Sequence, residues 1–189
     1  MFAPDVAAQV PKGLTVEGVN NNRLPERPLE QLPLERQRYG LAFSVAHRFT
    51  NATLRVSERG YYDSWGVLAT TTDGRFMYDV TKGFRLWPHL RVHYQGNASF
   101  YQLAYVAQPT DSTDPNSGVA IPAFRTGDRE LAQMLGITAG GGARYDFGER
   151  RAYGLMFNGD FISTLFLNHL FTKRRFGFFG ALTFEAEFE

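Results

Sequence analysis

The sequence has no cysteine, which excludes disulfides and thiolate metal sites. That absence is compatible with an oxidising periplasm but names no compartment. Long apolar runs are missing too. A membrane-spanning helix needs about 20 apolar residues, and the longest apolar-rich stretch, Phe176 to Phe184, is about half of that, so a helical membrane protein is excluded. The opening Met-Phe-Ala-Pro-Asp carries neither a basic region nor an apolar one, so no signal peptide is visible, and an exported protein would be represented here in mature or shortened form. Lysine is scarce: Lys12, Lys82 and Lys173 stand against 17 arginines. Arginine makes planar, multidentate pairs, so this bias suits a crowded polar network better than a generic solvated surface. Net charge is only +1, which removes the simplest electrostatic case for nucleic acid as a partner.

What is present is a recurring period of two. Tyr39, Leu41, Phe43, Val45, His47 and Phe49 alternate with Gly40, Ala42, Ser44, Ala46, Arg48 and Thr50. After a turn at Thr50-Asn51, Leu54 and Val56 alternate with Thr53, Arg55, Ser57 and Arg59. Asp63 to Gly66 is the next turn. Leu68, Thr70, Thr72, Phe76, Tyr78 and Val80 then oppose Asp73, Arg75 and Asp79, and Thr81-Lys82-Gly83 closes a hairpin that places Val80 opposite Phe84. Phe84, Leu86, Pro88, Leu90, Val92 and Tyr94 alternate with Arg85, Trp87, His89, Arg91, His93 and Gln95. Residues 106–128 break every pattern and predict a long polar loop. Strands resume at about Glu130 to Phe147, Tyr153 to His169 and Phe176 to Phe188.

The expected fold is all-β: an antiparallel, up-and-down transmembrane barrel, with seven or eight strands in this chain and more in the complete wall. Residues 1–37 precede it as an irregular extracellular or pre-barrel segment, and 38–189 form the strands. Aromatic residues at strand ends with polar residues on the second face suit a lipid-facing belt and a wet lumen. A soluble sandwich or lipocalin-like barrel also alternates, but several strands here run about a dozen residues, against a soluble mode of about 5 to 6. The turns add a second cue. Short connections at Thr50-Asn51, Thr81 to Gly83 and Gly148 to Ala152 share one end, whereas the longest loop lies on the other, as short periplasmic turns and long outer loops do. Seven strands beginning on the outer side cannot close a single-chain barrel. One more is expected upstream, near Leu14 to Val19, or from another chain.

Two segments carry a family resemblance: Arg59-Gly60-Tyr61-Tyr62-Asp63-Ser64-Trp65-Gly66-Val67, and Leu90 through His93 and Gly96 to Tyr101. Together with Arg36 to Gly40 and Asp128 to Leu131, they resemble the C-terminal half of an uncharacterised family of proteobacterial outer-membrane β-barrels, a domain of unknown function. The resemblance spans about residues 23–189. It implies a barrel fold, a bacterial outer-membrane location and members longer than this chain, but no activity. Two features depart from it: Glu58 falls in register with apolar Leu54 and Val56, and the chain ends on Glu189, one position after the aromatic Phe188.

The polar face is the candidate lumen: Asp73, Arg75, Asp79, Arg85, His89, Arg91, His93, Arg144, Glu185 and Glu187. The hairpin register pairs Asp79 with Arg85, Arg75 with His89 and Asp73 with Arg91, either as a salt-bridge ladder or as an arginine-weighted filter favouring anions. Phe43, Phe84, Leu90, Tyr94, Phe178, Leu182 and Phe184 are the candidate lipid-facing residues. His89 and His93, four residues apart on one strand face, stand about 13 Å apart and cannot share one zinc. Gly140-Gly141-Gly142 lacks the lysine of a phosphate loop and marks a bend or close packing beneath aromatics. Ser57, Ser64 and Ser99 with His93 and Asp63 form no recognisable catalytic motif. The leading expectation is a passive channel or structural component of the outer membrane, not an enzyme, without cofactor or metal, partnered by lipid and by whatever strands complete the wall. A soluble barrel enclosing an apolar ligand, or a barrel-embedded hydrolase or acyltransferase, are the alternatives.

Overall fold

The computed structural model describes residues 15–21, 29–105, 108–110 and 118–187. After one short helix, α1 (Val16–Asn21), the chain is almost wholly strand: β1 (Arg38–Arg48), β2 (Ala52–Asp63), β3 (Leu68–Thr81), β4 (Phe84–Gln95), β5 (Gln108–Pro109), β6 (Val119–Ala120), β7 (Met134–Phe147), β8 (Tyr153–Phe166) and β9 (Arg174–Ala186). Seven strands make one antiparallel sheet in the order β1-β2-β3-β4-β7-β8-β9, so each long strand pairs with the next long strand in sequence. β5 and β6 pair only with each other, within the segment expected to be loop. The sheet is not closed: among the described residues β1 and β9 have no partner on their outer edges.

Several boundaries differ from those expected. β7 begins at Met134 because Arg129–Leu131 is a single 3-10 turn, started by the Asp128 carboxylate accepting from the Glu130 N–H at 2.9 Å. β8 stops at Phe166, where Leu167 and Asn168 turn the chain. β9 starts at Arg174, and its expected end at Phe188 lies outside the described residues. The β3–β4 hairpin carries an irregularity between Asp79 and Thr81, so Phe84 opposes Thr81 rather than Val80. The stretch near Leu14 to Val19 adds no strand, since its described part enters α1.

Register gives the sheet two unlike faces. One row runs Val45, Val56, Gly74, Leu90, Ala139, Phe161, Phe178 across all seven strands; the row beside it on the opposite face runs Ala46, Arg55, Arg75, His89, Gly140, Asp160, Phe179. On the apolar face Leu41 and Phe178 are each 76 % exposed, whereas on the polar face Phe166 and Trp87 are only 2 % and 9 % exposed. The polar face is therefore the enclosed one. In water each exposed Leu or Phe would forgo about 1.5–3 kcal/mol of burial.

The small conventional core lies at the loop end of the sheet. Val67, Ala98, Tyr101, Leu131 and Ala132 pack there with Leu32, Tyr61, Trp65 and Phe100. Residue 31 bridges to 125 through two backbone hydrogen bonds of 3.0 and 2.8 Å, which ties the segment before β1 to the segment before β7.

Candidate functional site

The polar face is built by three neighbouring strands whose alternation puts arginine where the sequence places it. Arg55 and Arg59 of β2, Arg75 of β3 and Arg91 of β4 line a groove of about 320 Å³ together with Ser57 and Asp73. Small residues of β1, such as Ala42 at its wall, leave room above it. Arg55 is the direct register partner of Arg75, so two guanidinium-bearing strand positions face each other without an intervening acid. Like charges directly opposite destabilise a sheet. None of these four arginines takes part in an ion pair among the described residues. Asp73, the acid in their midst, gives Oδ2 to His89 Nε2 at 2.8 Å instead.

His89 is held from both sides. Its Nδ1 lies 3.1 Å from Asp160 Oδ1, so the ring is clamped between carboxylates from β3 and β8. Asp160 reaches it across β7 because the intervening residue is Gly140, where a Cβ would overlap both the Asp160 side chain and the Gly159 carbonyl. Gly142 does the same for Trp87, whose indole occupies the space a side chain would need. The glycine triplet thus marks close packing beneath an aromatic ring and, beside it, beneath a carboxylate.

The expected register pairs are the observed ones: Asp79 with Arg85, Arg75 with His89, Asp73 with Arg91. Their contacts differ, because a side chain on a twisted sheet also reaches diagonally. Asp79 accepts from Arg85 Nε at 2.5 Å and from Arg48 at 2.7 Å, joining β1, β3 and β4. Arg144 pairs with Asp146 at 2.8 Å and Glu185 at 2.9 Å. His93 Nδ1 meets the Thr71 hydroxyl at 2.8 Å. Among the described residues no hydrogen bond joins His93 to Ser57, Ser64, Ser99 or Asp63. Glu187 lies one residue past β9, its N–H donating to the Ala152 carbonyl at 2.8 Å. Sequence reasoning did not single out Arg48, Arg55, Arg59 or Asp160. The arginines were visible in the alternation, but Asp160 is 71 residues from His89 and no local pattern joins them.

On the other face, Phe43, Phe84, Leu90, Tyr94, Phe178, Leu182 and Phe184 share one side of the sheet. Glu58 lies on that side as well, opposite Phe43 and Thr72. No irregularity diverts it. Its carboxylate is met by the Thr70 hydroxyl and, at 2.5 Å, by that of Thr72.

At the loop end, Asp63 is fully buried and gathers the corner between β2 and β3. It accepts from Arg36 (2.8 and 2.5 Å), the Tyr61 hydroxyl (2.8 Å) and the N–H groups of Trp65 and Val67 (3.0 Å each). The Arg36 guanidinium sits 4.3 Å over the Trp65 ring, whose indole N–H donates to the Glu35 carbonyl at 2.9 Å. The Arg-Tyr-Asp-Trp-Gly segment is therefore a structural corner. No solved structure and no curated protein matches the chain. Residues 12–157 match the family described as "protein of unknown function (DUF3570)", which covers most of the sequence, and the chain belongs to that family.

Proposed function

We propose that this sheet is wall from a bacterial outer-membrane β-barrel and that its enclosed face lines an anion-favouring passive channel. The observation that carries the proposal is the cluster of Arg55, Arg59, Arg75 and Arg91, without ion pairs among the described residues, on the enclosed side of a sheet whose other side is apolar. Cations grouped against their mutual repulsion are offset when an anion passes among them.

The membrane part of the proposal rests on the apolar face. At the short-turn end Phe84, Tyr145, Phe147, Tyr153 and Phe184 form a ladder with ring centroids 6.4, 5.7, 5.6 and 6.2 Å apart. Tyr39, Tyr62 and Tyr94 mark the opposite end of the same face. From Phe84 to Tyr94 the strand covers about 33 Å, which at a tilt of about 40° is a height of about 25 Å, the apolar band of an outer-membrane barrel. A soluble barrel around an apolar ligand would need these residues inside.

Reconstituted into a planar bilayer under a salt gradient, the protein is expected to conduct with a reversal potential on the anion side. Replacing Arg55 and Arg75 together by Gln should move that potential toward zero. A cation-selective pore, or selectivity unchanged in the double variant, overturns the lumen assignment; a protein that stays monomeric and soluble without detergent overturns the membrane assignment.

A further inference from the structure

The loop end holds a second cavity, of about 250 Å³, away from the arginine groove. It is below the roughly 300–1,000 Å³ of drug-sized pockets, so its occupant is small. Val19, Leu103, Leu170 and Phe171 supply an apolar wall. Arg125 supplies the polar cue. One terminal nitrogen of its guanidinium is fixed by the carbonyl oxygens of Pro122 (2.9 Å), Ala123 (3.3 Å) and the Gln31 side chain (3.3 Å). Its Nε is buried and has no hydrogen-bond partner. A buried charged donor left unpaired costs about 1–3 kcal/mol or more, so such an atom in a cavity wall points to an absent acceptor. None of the acceptors on Arg125 is a carboxylate, and it forms no ion pair among the described residues.

The remaining polar groups narrow the ligand. Glu30 also lines the cavity, its carboxylate accepting the Thr126 hydroxyl. An occupant carrying negative charge alone would meet that carboxylate. His169 adds no opposing cation near neutral pH, because burial foremost, with Arg129 and Lys173 nearby, holds its pKa below the usual histidine value, and its Nδ1 accepts the Thr172 N–H at 2.9 Å. Tyr101 remains a neutral phenol, its pKa pushed up to about 12 by burial.

We infer that this cavity binds a small zwitterion, a free amino acid or the end of a peptide, with its carboxylate on Arg125, its ammonium toward Glu30 and an apolar side chain against Leu103, Leu170 and Phe171. The proposal does not depend on the channel reading, since it uses only loop-end residues. Calorimetric titration of the folded protein in detergent with L-phenylalanine should give saturable binding. N-acetyl-L-phenylalanine, which lacks the ammonium, and phenethylamine, which lacks the carboxylate, should each bind at least about tenfold more weakly, the loss of one hydrogen bond to a charged group. Ala104→Phe, which fills the cavity and leaves both charges in place, should abolish binding, and Arg125→Gln should weaken it by a similar tenfold or more. Because Arg125 also ties loop segments together, Ala104→Phe and the two analogues decide the matter if Arg125→Gln does not fold. No binding of L-phenylalanine, equal binding of either analogue, or undiminished binding by Ala104→Phe overturns the inference.

Discussion

Gly140 is where a single hydrogen atom in place of a side chain decides a long-range contact. His89 on β4 and Asp160 on β8 are not on neighbouring strands; β7 lies between them, and at their level it presents Gly140 to the polar face. A methyl group there would overlap the Asp160 carboxylate and the Gly159 carbonyl, one of them backbone that cannot swing aside. Gly140→Ala is therefore expected to destabilise the sheet by about 3 kcal/mol, the upper part of the overpacking range, and to release one end of the His89 clamp. Gly60→Ala is the matched control, since a Cβ at Gly60 meets nothing within 4 Å, and it should stay within about 0.5 kcal/mol of the parent. Urea midpoints of the two variants in the same detergent check the contrast; equal midpoints would mean that the clamp and its glycine are incidental. The glycine triplet was legible as a packing device because glycine inside a strand has few other uses. What it packs beneath was not legible, because the partners come from two other strands.

At the scale of elements, the alternation from Tyr39 to Tyr94 was enough to locate four strands and the register between β3 and β4, because a one-residue slip would put Asp73, Arg75 and Asp79 on the apolar face. The ends of β7 and β8 were harder to read, since an apolar Leu131 or Leu170 continues the pattern by eye but belongs to the loop-end packing. The loop-end core itself has no period: Val67, Ala98, Tyr101, Leu131 and Ala132 come from three separate connections. The Asp63 corner anchors the first of these. Asp63→Ala removes the acceptor of two backbone N–H groups and leaves Arg36, only 22 % exposed, beside Trp65 without its carboxylate. The cost should be about 3 kcal/mol, typical of breaking a buried charged pair from one side. It should show as proteolytic cleavage within residues 64–67 and 96–105, with β3 and β4 still resistant. Cleavage unchanged from the parent would show that the loop-end core holds this corner without Asp63.

For the whole molecule, parity governs how the sheet can be completed. Seven strands in strict up-and-down order leave β1 and β9 running in the same direction. Joining those two edges directly would make one parallel seam; an all-antiparallel wall needs an odd number of further strands between them. In lipid neither edge can stay open, because each unpaired backbone N–H or C=O in hydrocarbon costs several kcal/mol. Both edges are expressly suited to pairing: β1 is exposed along its whole length, and so is most of β9, with Phe43 and Phe178 on the apolar side of each. Amide hydrogen exchange of the protein inserted in lipid tests this strand by strand. Alternate amides of β1 and β9 already bond to β2 and β8 and should exchange slowly in any case. The intervening amides, which point away from the sheet, should be protected to a similar degree once the wall is complete. If they exchange as fast as loop amides while the rest of each strand stays protected, the edges are open, and the sheet is then not the wall of a closed transmembrane barrel.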